Sequence, residues 1–241
     1  MSNFIVPDWP APKRVRVLQT TRQGGVSGAP WSSFNLGEHV GDASSAVAEN
    51  RRRLRELLPD EPKWLKQVHG TNCVDAASID IPLEADASFT RQSGIVCAVQ
   101  TADCLPVFFC DDNAKVVAVA HAGWRGLLAG VLESTVTAMQ IDPTHLMAWF
   151  GPAIGPKKFE VGDEVRAAFI AHDAQASSAF VLTTNGKWMA DIYTLARMRL
   201  AEVGIRRVTS TNSCTVTQAE EFFSFRRDGV TGRMASCIWL E

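Results

Sequence analysis

The chain reads Cys104-Leu-Pro-Val-Phe-Phe-Cys110, then Asp111-Asp112-Asn113-Ala114, then Lys115-Val-Val-Ala-Val-Ala-His121. Two apolar runs around a short polar turn predict an antiparallel hairpin. Closing the turn with Cys110 opposite Lys115 sets Phe108 against Val117, Pro106 against Val119 and Cys104 against His121. Directly opposed residues of such a pair have Cβ atoms about 5 Å apart on one face of the sheet. A thiolate and an imidazole that close can share a zinc ion, or work as nucleophile and base.

Taken alone, Cys104 reads as a small core residue and His121 as a hydrogen-bonded structural one, because free cysteine is commonly buried. Two details turn the reading toward chemistry. Asp103 precedes the cysteine, where it could orient a ligand from behind and is a candidate for proton transfer. His121 leads into Ala122-Gly123-Trp124-Arg125-Gly126, a turn of small residues opening a helix. The N–H groups at such a helix start, with Arg125 beside them, suit a phosphate. His69, in Gln67-Val68-His69-Gly70, would complete a Cys-His-His set with an open fourth position, the catalytic rather than the structural zinc pattern. His39, His145 and His172 have no comparable context. Arg22, in Thr20-Thr21-Arg22-Gln23-Gly24-Gly25, and Arg226, in Ser224-Phe225-Arg226-Arg227-Asp228-Gly229, are weaker anion candidates. The run Arg51-Arg52-Arg53-Leu54-Arg55 reads as the solvent face of a helix.

Strands are expected at 14–20, 63–67, 73–78, 95–100, 147–150, 207–211 and 234–240, besides the hairpin. Helices are expected at 43–58 with Asp42 as cap, 127–140, 163–172 and 191–203, the last ending at Gly204 in a left-handed cap. The 127–140 helix would bury Leu128, Val131, Leu132, Thr135 and Val136. Strands come in consecutive runs with helices inserted irregularly, which argues for mixed or antiparallel sheets covered by helices. No repeat, low-complexity tract or linker divides the 241 residues, so a single domain over 1–241 is expected.

A net charge of −2 gives no electrostatic case for a nucleic-acid or anionic-membrane partner. The N-terminal stretch lacks a basic segment followed by an apolar one, and no later run could span a bilayer, so a cytoplasmic location is the default expectation. The six cysteines are scattered without a C-x-x-C pair, which favours free thiols or metal ligands over disulfides.

Several strings together resemble one family. They are Thr20-Thr-Arg-Gln-Gly-Gly-Val-Ser27, Phe34-Asn-Leu-Gly37, Gln67-Val-His-Gly70, Thr101-Ala-Asp-Cys-Leu-Pro-Val107, His121-Ala-Gly-Trp-Arg-Gly126, Gly151-Pro-Ala-Ile-Gly155 and Phe225-Arg-Arg-Asp-Gly-Val-Thr-Gly-Arg233. In this order they resemble the YfiH family, also called the laccase-domain or polyphenol oxidoreductase family, some of whose members are labelled peptidoglycan editing factors. The resemblance implies an α/β (α+β) fold with mixed sheets in a sandwich-like α/β/β/α arrangement, similar in outline to toxin deamidase domains. It implies zinc on His69, Cys104 and His121, with copper as the other candidate metal. It also implies phosphorolysis of adenosine, inosine and methylthioadenosine to free base and sugar 1-phosphate, and deamination of adenosine to inosine. Arg22, Asn35, Gln67, Arg125 and Arg226 stand within or beside the matching motifs as candidate substrate and phosphate contacts. The expected partners are these small molecules, and the expected assembly is a monomer or weak homodimer.

Other readings compete. A self-contained multicopper laccase needs many more histidines than the five present, usually as H-x-H pairs, and the chain has no H-x-H. A single copper with weak phenol oxidation suits a Cys-His-His site better. A thiol-dependent amide hydrolase would use Cys104 as nucleophile and His121 as base. A non-catalytic metal-binding protein would hold metal without turnover. The nucleobase-deaminase signature H-x-E with P-C-x-x-C is absent, so deamination would need another arrangement.

Overall fold

The computed structural model describes residues 4–241, so residues 1–3 of the domain expected over 1–241 lie outside the described residues. In chain order the first strands are β1 (Phe4–Ile5), β2 (Val15–Thr20), β3 (Pro62–Lys63), β4 (Cys73–Asp75), β5 (Ala87–Thr90), β6 (Val96–Thr101) and β7 (Leu105–Asp111). They are followed by β8 (Val117–Ala122), β9 (Leu146–Phe150), β10 (Glu160–Val161), β11 (Phe180–Leu182), β12 (Trp188–Ala190), β13 (Val208–Ser210) and β14 (Met234–Leu240). The helices are α1 (Ser44–Arg55), α2 (Trp124–Ala129), α3 (Val131–Met139), α4 (Asp163–His172), α5 (Ile192–Glu202) and α6 (Phe225–Asp228). None of these is long and apolar enough to cross a membrane.

One sheet has the order β1-β2-β14-β6-β3, a second the order β13-β9-β7-β8-β5-β4, and a small third the order β10-β12-β11. The first two contain parallel and antiparallel pairs. They pack face to face: Val17, Val99 and Ile238 of the first meet Phe108, Val119 and Trp149 of the second in one buried cluster. The opposite face of the second sheet, with Leu105, Val107, Phe109 and Phe150, is covered by α3 and α5 through Leu132, Val136, Leu195 and Leu200. The outer face of the first sheet, with Leu18, Ala98 and Trp239, is covered by Leu54 of α1. The layers therefore run α/β/β/α, as the resemblance implied. Strand β7 is apolar at nearly every position because both of its faces are covered.

The hairpin register differs from the expected one. Cys110 pairs with Val117, Phe108 with Val119 and Pro106 with His121, a slip of two residues. The cause lies in the turn. The Asp111 carboxylate accepts hydrogen bonds from the backbone N–H groups of Asn113, Lys115 and Val116, and Ala114 takes a left-handed φ of 51°. Strand pairing therefore closes at Asp111 and Val116, one residue further along on each side. A slip of two preserves the face of every side chain. Cys104 and His121 stay on one side of the sheet, as diagonal rather than direct neighbours.

Two helix expectations are corrected. The predicted 127–140 helix is two helices, broken at Gly130 with φ 104°. Of its expected core residues Val131, Leu132, Thr135 and Val136 are buried and Leu128 is partly buried. Asp42 does not cap α1, whose N-cap is Ala43 without a side-chain bond; its carboxylate accepts from Ser27 and Asn35 instead. Helix α5 does end at Gly204 with φ 93°, as read. The three-stranded sheet was not anticipated, because its strands are two or three residues long and carry no alternation that could be read.

Candidate metal centre

The inter-sheet layer opens at one end of the sandwich. There β6 of the first sheet crosses through Ala102 and Asp103 to β7 of the second, β8 ends at Ala122, and β14 begins at Met234 opposite Thr101. His69, Cys104 and His121 meet at this opening with one donor atom each, all within 4.8 Å of one another. Cys104 Sγ lies 3.8 Å from His69 Nε2, and the two imidazole rings stand edge to face with centroids 4.8 Å apart.

The local backbone is forced into place. His69 has φ 61° and Asp103 φ 92°, conformations that cost an ordinary residue about 1–3 kcal/mol and need support from their surroundings. At His69 the support is Asp86, fully buried, whose carboxylate accepts the N–H groups of Val68, His69 and Gly70. The same carboxylate lies 2.7 Å from His121 Nδ1, which fixes that ring and leaves its Nε2 for the cluster. At Asp103 the carboxylate accepts from Thr215 Oγ1 and from the Arg226 backbone N–H, while its carbonyl accepts from Ile154. Asp103 therefore clasps the turn ahead of Cys104, and the residue that orients a ligand is Asp86. Sequence reasoning missed Asp86; its only signal is an isolated acid in the small-residue run Ala85-Asp86-Ala87 ahead of a strand.

Electrostatics favour the ligating form of the cysteine. Burial would raise the Cys104 thiol, but the charge and hydrogen bond of His121, followed by those of His69, hold it below its ordinary value. Burial would lower His121, yet the Cys104 thiolate and the Asp86 carboxylate hold it above its ordinary value. Asp86 is itself held low: burial opposes its charge, but the bonds from His121, Gly70 and Val68 prevail. A deprotonated thiol is the species that binds a metal. Around tetrahedral zinc the N···S and N···N edges are roughly 3.3–3.6 Å. The donor separations, 3.8 Å from Cys104 to His69 and none above 4.8 Å, exceed that by at most about 1.5 Å, so small side-chain adjustments let the three residues fit one ion. The same set also suits copper.

The glycines at the start of α2 make room for this cluster. A Cβ on Gly123 would lie 2.7 Å from His69 Cδ2 and 3.0 Å from Cys104 Sγ, and one on Gly126 would lie 2.9 Å from the Gly70 carbonyl. Arg125 lies over the neighbouring Trp124 ring, 4.5 Å from its centroid, and among the described residues forms no ion pair with a carboxylate.

A cavity of about 680 Å³ opens onto the three donors. Of the residues expected at the site, Gln67, His69, Asp103, Cys104, His121, Arg125 and Arg226 line it. Gln67 pairs its amide with the Gln100 backbone, and Arg226 reaches the Lys158 and Glu160 carbonyls over the Phe159 ring. Arg22 and Asn35 do not line it. The Arg22 guanidinium is used on the Ser32 and Ala219 carbonyls against Phe223, and Asn35 is fully buried, joining Gly37, Asp42 and the Arg233 backbone. His39, set aside for lack of context, lines the cavity, as do Lys66 and Arg233.

The sequence profile of the family described as multi-copper polyphenol oxidoreductase laccase matches residues 16–241. The chain is 53% identical over 242 residues to the purine nucleoside phosphorylase PA4543 of Pseudomonas aeruginosa, covering 100% of both chains. It is 54% identical over 243 residues to the purine nucleoside phosphorylase YfiH of Escherichia coli, again covering 100% of both. Among solved structures, Neisseria meningitidis protein NMB0706 superposes with a TM-score of 0.97 at 48% identity, over 100% of each chain. YlmD from Geobacillus stearothermophilus superposes with a TM-score of 0.92 at 30% identity, over 100% of this chain and 97% of that one.

Proposed function

Because the chain belongs to the multi-copper polyphenol oxidoreductase laccase family, together with relatives named purine nucleoside phosphorylase, we propose that it is a metal-dependent purine nucleoside phosphorylase acting as a single domain. The observation that carries this reading is the cavity: one wall holds three metal donors, and of the cations around it Lys66 pairs with Glu84 while Arg125, Arg226 and Arg233 form no ion pair among the described residues. The substrates we assign are inosine, adenosine and methylthioadenosine. A phosphate oxygen forms a bond to the anomeric carbon, and the bond from that carbon to the purine nitrogen breaks with its electron pair on the base. The products are sugar 1-phosphate and, after a proton is taken up, the free purine. Phosphate brings negative charge, which Arg125 and Arg226 offset from the rim. The sugar gains positive character as the base departs, and a cavity that holds both substrates keeps the attacking phosphate close.

His69, Cys104 and His121 would hold the metal, zinc in our assignment, with Asp86 fixing His121 from behind. When bound, such an ion supplies Lewis acidity and an open coordination position. We assign adenosine deamination to the same cavity, with water replacing phosphate and ammonia leaving from the base.

The test is incubation of purified, metal-quantified protein with adenosine or inosine, with and without phosphate, followed by chromatography of the products. Phosphate-dependent release of base with sugar 1-phosphate is the expected result. Oxidation of phenols by copper-loaded protein, with no base released, would favour the copper oxidase instead.

A second reading has its own observation. Cys104, His121 and Asp86 follow one another as thiolate, imidazolium and carboxylate, the order of a cysteine hydrolase. Metal-stripped protein that cleaves amides, and loses this when zinc is restored, would establish that reading.

A further inference from the structure

Four arginines of this chain are substantially withdrawn from water with their proton affinity lowered by burial or paired in the core: Arg22, Arg51, Arg199 and Arg233. Three have evident structural duties. Arg51 pairs with Glu38, Arg199 pairs with Glu133, and Arg22 joins loop carbonyls outside the cavity. Arg233 differs. It lines the cavity, and among the described residues it forms no ion pair.

Its position is tightly set. It directly precedes β14, whose first residue Met234 pairs with Thr101, so it stands beside the segment leading to Cys104. Its backbone N–H donates to Asn35 Oδ1. Its aliphatic stem packs on Gly37, where a Cβ would lie 2.8 Å from Arg233 Cγ. Nη1 donates to the Thr231 and Gly232 carbonyls at 3.2 and 3.0 Å. Among the described residues Nε and Nη2 make no hydrogen bond. The acidic groups nearest in effect are Cys104 and Asp103. The first is a donor of the metal cluster, and the second is occupied with Thr215 and the Arg226 backbone.

A partly desolvated guanidinium without a carboxylate costs stability unless something else meets its charge. His39 stands on the same wall, and its proton affinity is lowered by burial and by the charges of Arg233 and Arg51. A neutral imidazole can donate a hydrogen bond to an anion there without adding a competing positive charge to the wall.

We propose that Arg233, with His39 beside it, forms an oxyanion subsite next to the metal cluster that holds phosphate by the free Nε and Nη2 edge of the guanidinium. This rests on the phosphorolysis reading for the identity of the anion, but not for the existence of the site. It sets phosphate between Arg233 and the three metal donors, while the purine extends toward the apolar lining at Phe159 and Ile192.

The experiment reads anion binding directly. Metal-loaded wild-type protein is treated with phenylglyoxal with and without inorganic phosphate, with acetate as control anion, and labelled arginines are mapped by mass spectrometry. Phosphate should protect Arg233 and leave Arg14 and Arg16 labelled as before. In calorimetric titration with inorganic phosphate, Arg233→Gln should raise the dissociation constant on the order of tenfold to a hundredfold at unchanged metal content, and Arg233→Lys should recover part of that loss. Equal labelling of Arg233 with and without phosphate overturns the proposal, and this arm needs no variant to fold. A dissociation constant for Arg233→Gln within twofold of wild type also overturns it. Protection of Arg233 in a protein that releases no base from any purine nucleoside upholds the subsite and defeats the phosphorolysis reading.

Discussion

Asp86 spends one carboxylate on two different tasks, holding the left-handed turn of His69 and aiming the His121 ring. Replacing it by alanine strands a buried imidazole and three amides, which should cost about 3–5 kcal/mol, measured by denaturant unfolding. Asp86→Asn keeps the shape but loses the charge, and metal affinity should fall about 10–100-fold in competition titrations with a chelator. Gly123→Ala is the complementary test. Its methyl would press on His69 and Cys104, so metal binding should be lost while stability drops by about 1–3 kcal/mol. Full metal content in Gly123→Ala would contradict the packing described. Arg125 lies at the cavity rim over Trp124. On the proposed function, Arg125→Ala should raise the phosphate concentration needed for phosphorolysis much more than it affects phosphate-independent deamination. Equal loss of both activities would make Arg125 a scaffold residue.

At the scale of elements, the β7–β8 hairpin depends on a turn built around one side chain. Asp111→Ala removes the acceptor for three backbone N–H groups and should cost about 1–3 kcal/mol in thermal or denaturant unfolding. That turn also explains what could be read in advance. The apolar runs announced both strands and the side of the sheet shared by Cys104 and His121. The register escaped because a carboxylate folding back onto its own turn lengthens the loop without altering the hydrophobic pattern. The break at Gly130 escaped for a similar reason, since a single left-handed glycine interrupts a helix without disturbing its apolar spacing. The roles of Asp86 and Arg233 could not be read from their neighbours in the chain. Their partners lie 16–35 residues away for Asp86, and at Asn35 for Arg233, so only the assembled layers reveal them. The α/β/β/α layering came from the family resemblance, since irregularly inserted helices fix no layer order.

At the scale of the molecule, the metal cluster sits at the mouth of the sandwich and not among its core clusters. Cys104→Ala should therefore abolish metal binding and activity while leaving circular dichroism and cooperative unfolding largely intact. Global unfolding of that variant would mark the ion as structural. The order of the first sheet has a consequence for how the protein is made. Strand β14, which follows the other strands of that sheet in sequence, lies in its middle with β2 on one side and β6 on the other. On a ribosome, every other strand of the sheet emerges before the one that joins its two halves. The nascent chain must carry an open seam between β2 and β6 until residues 234–240 clear the exit tunnel, and Arg233 reaches its wall only then. A premature stop just ahead of β14 should yield insoluble protein rather than a weakened enzyme, whereas chaperones that shield strand edges should matter most until β14 has emerged.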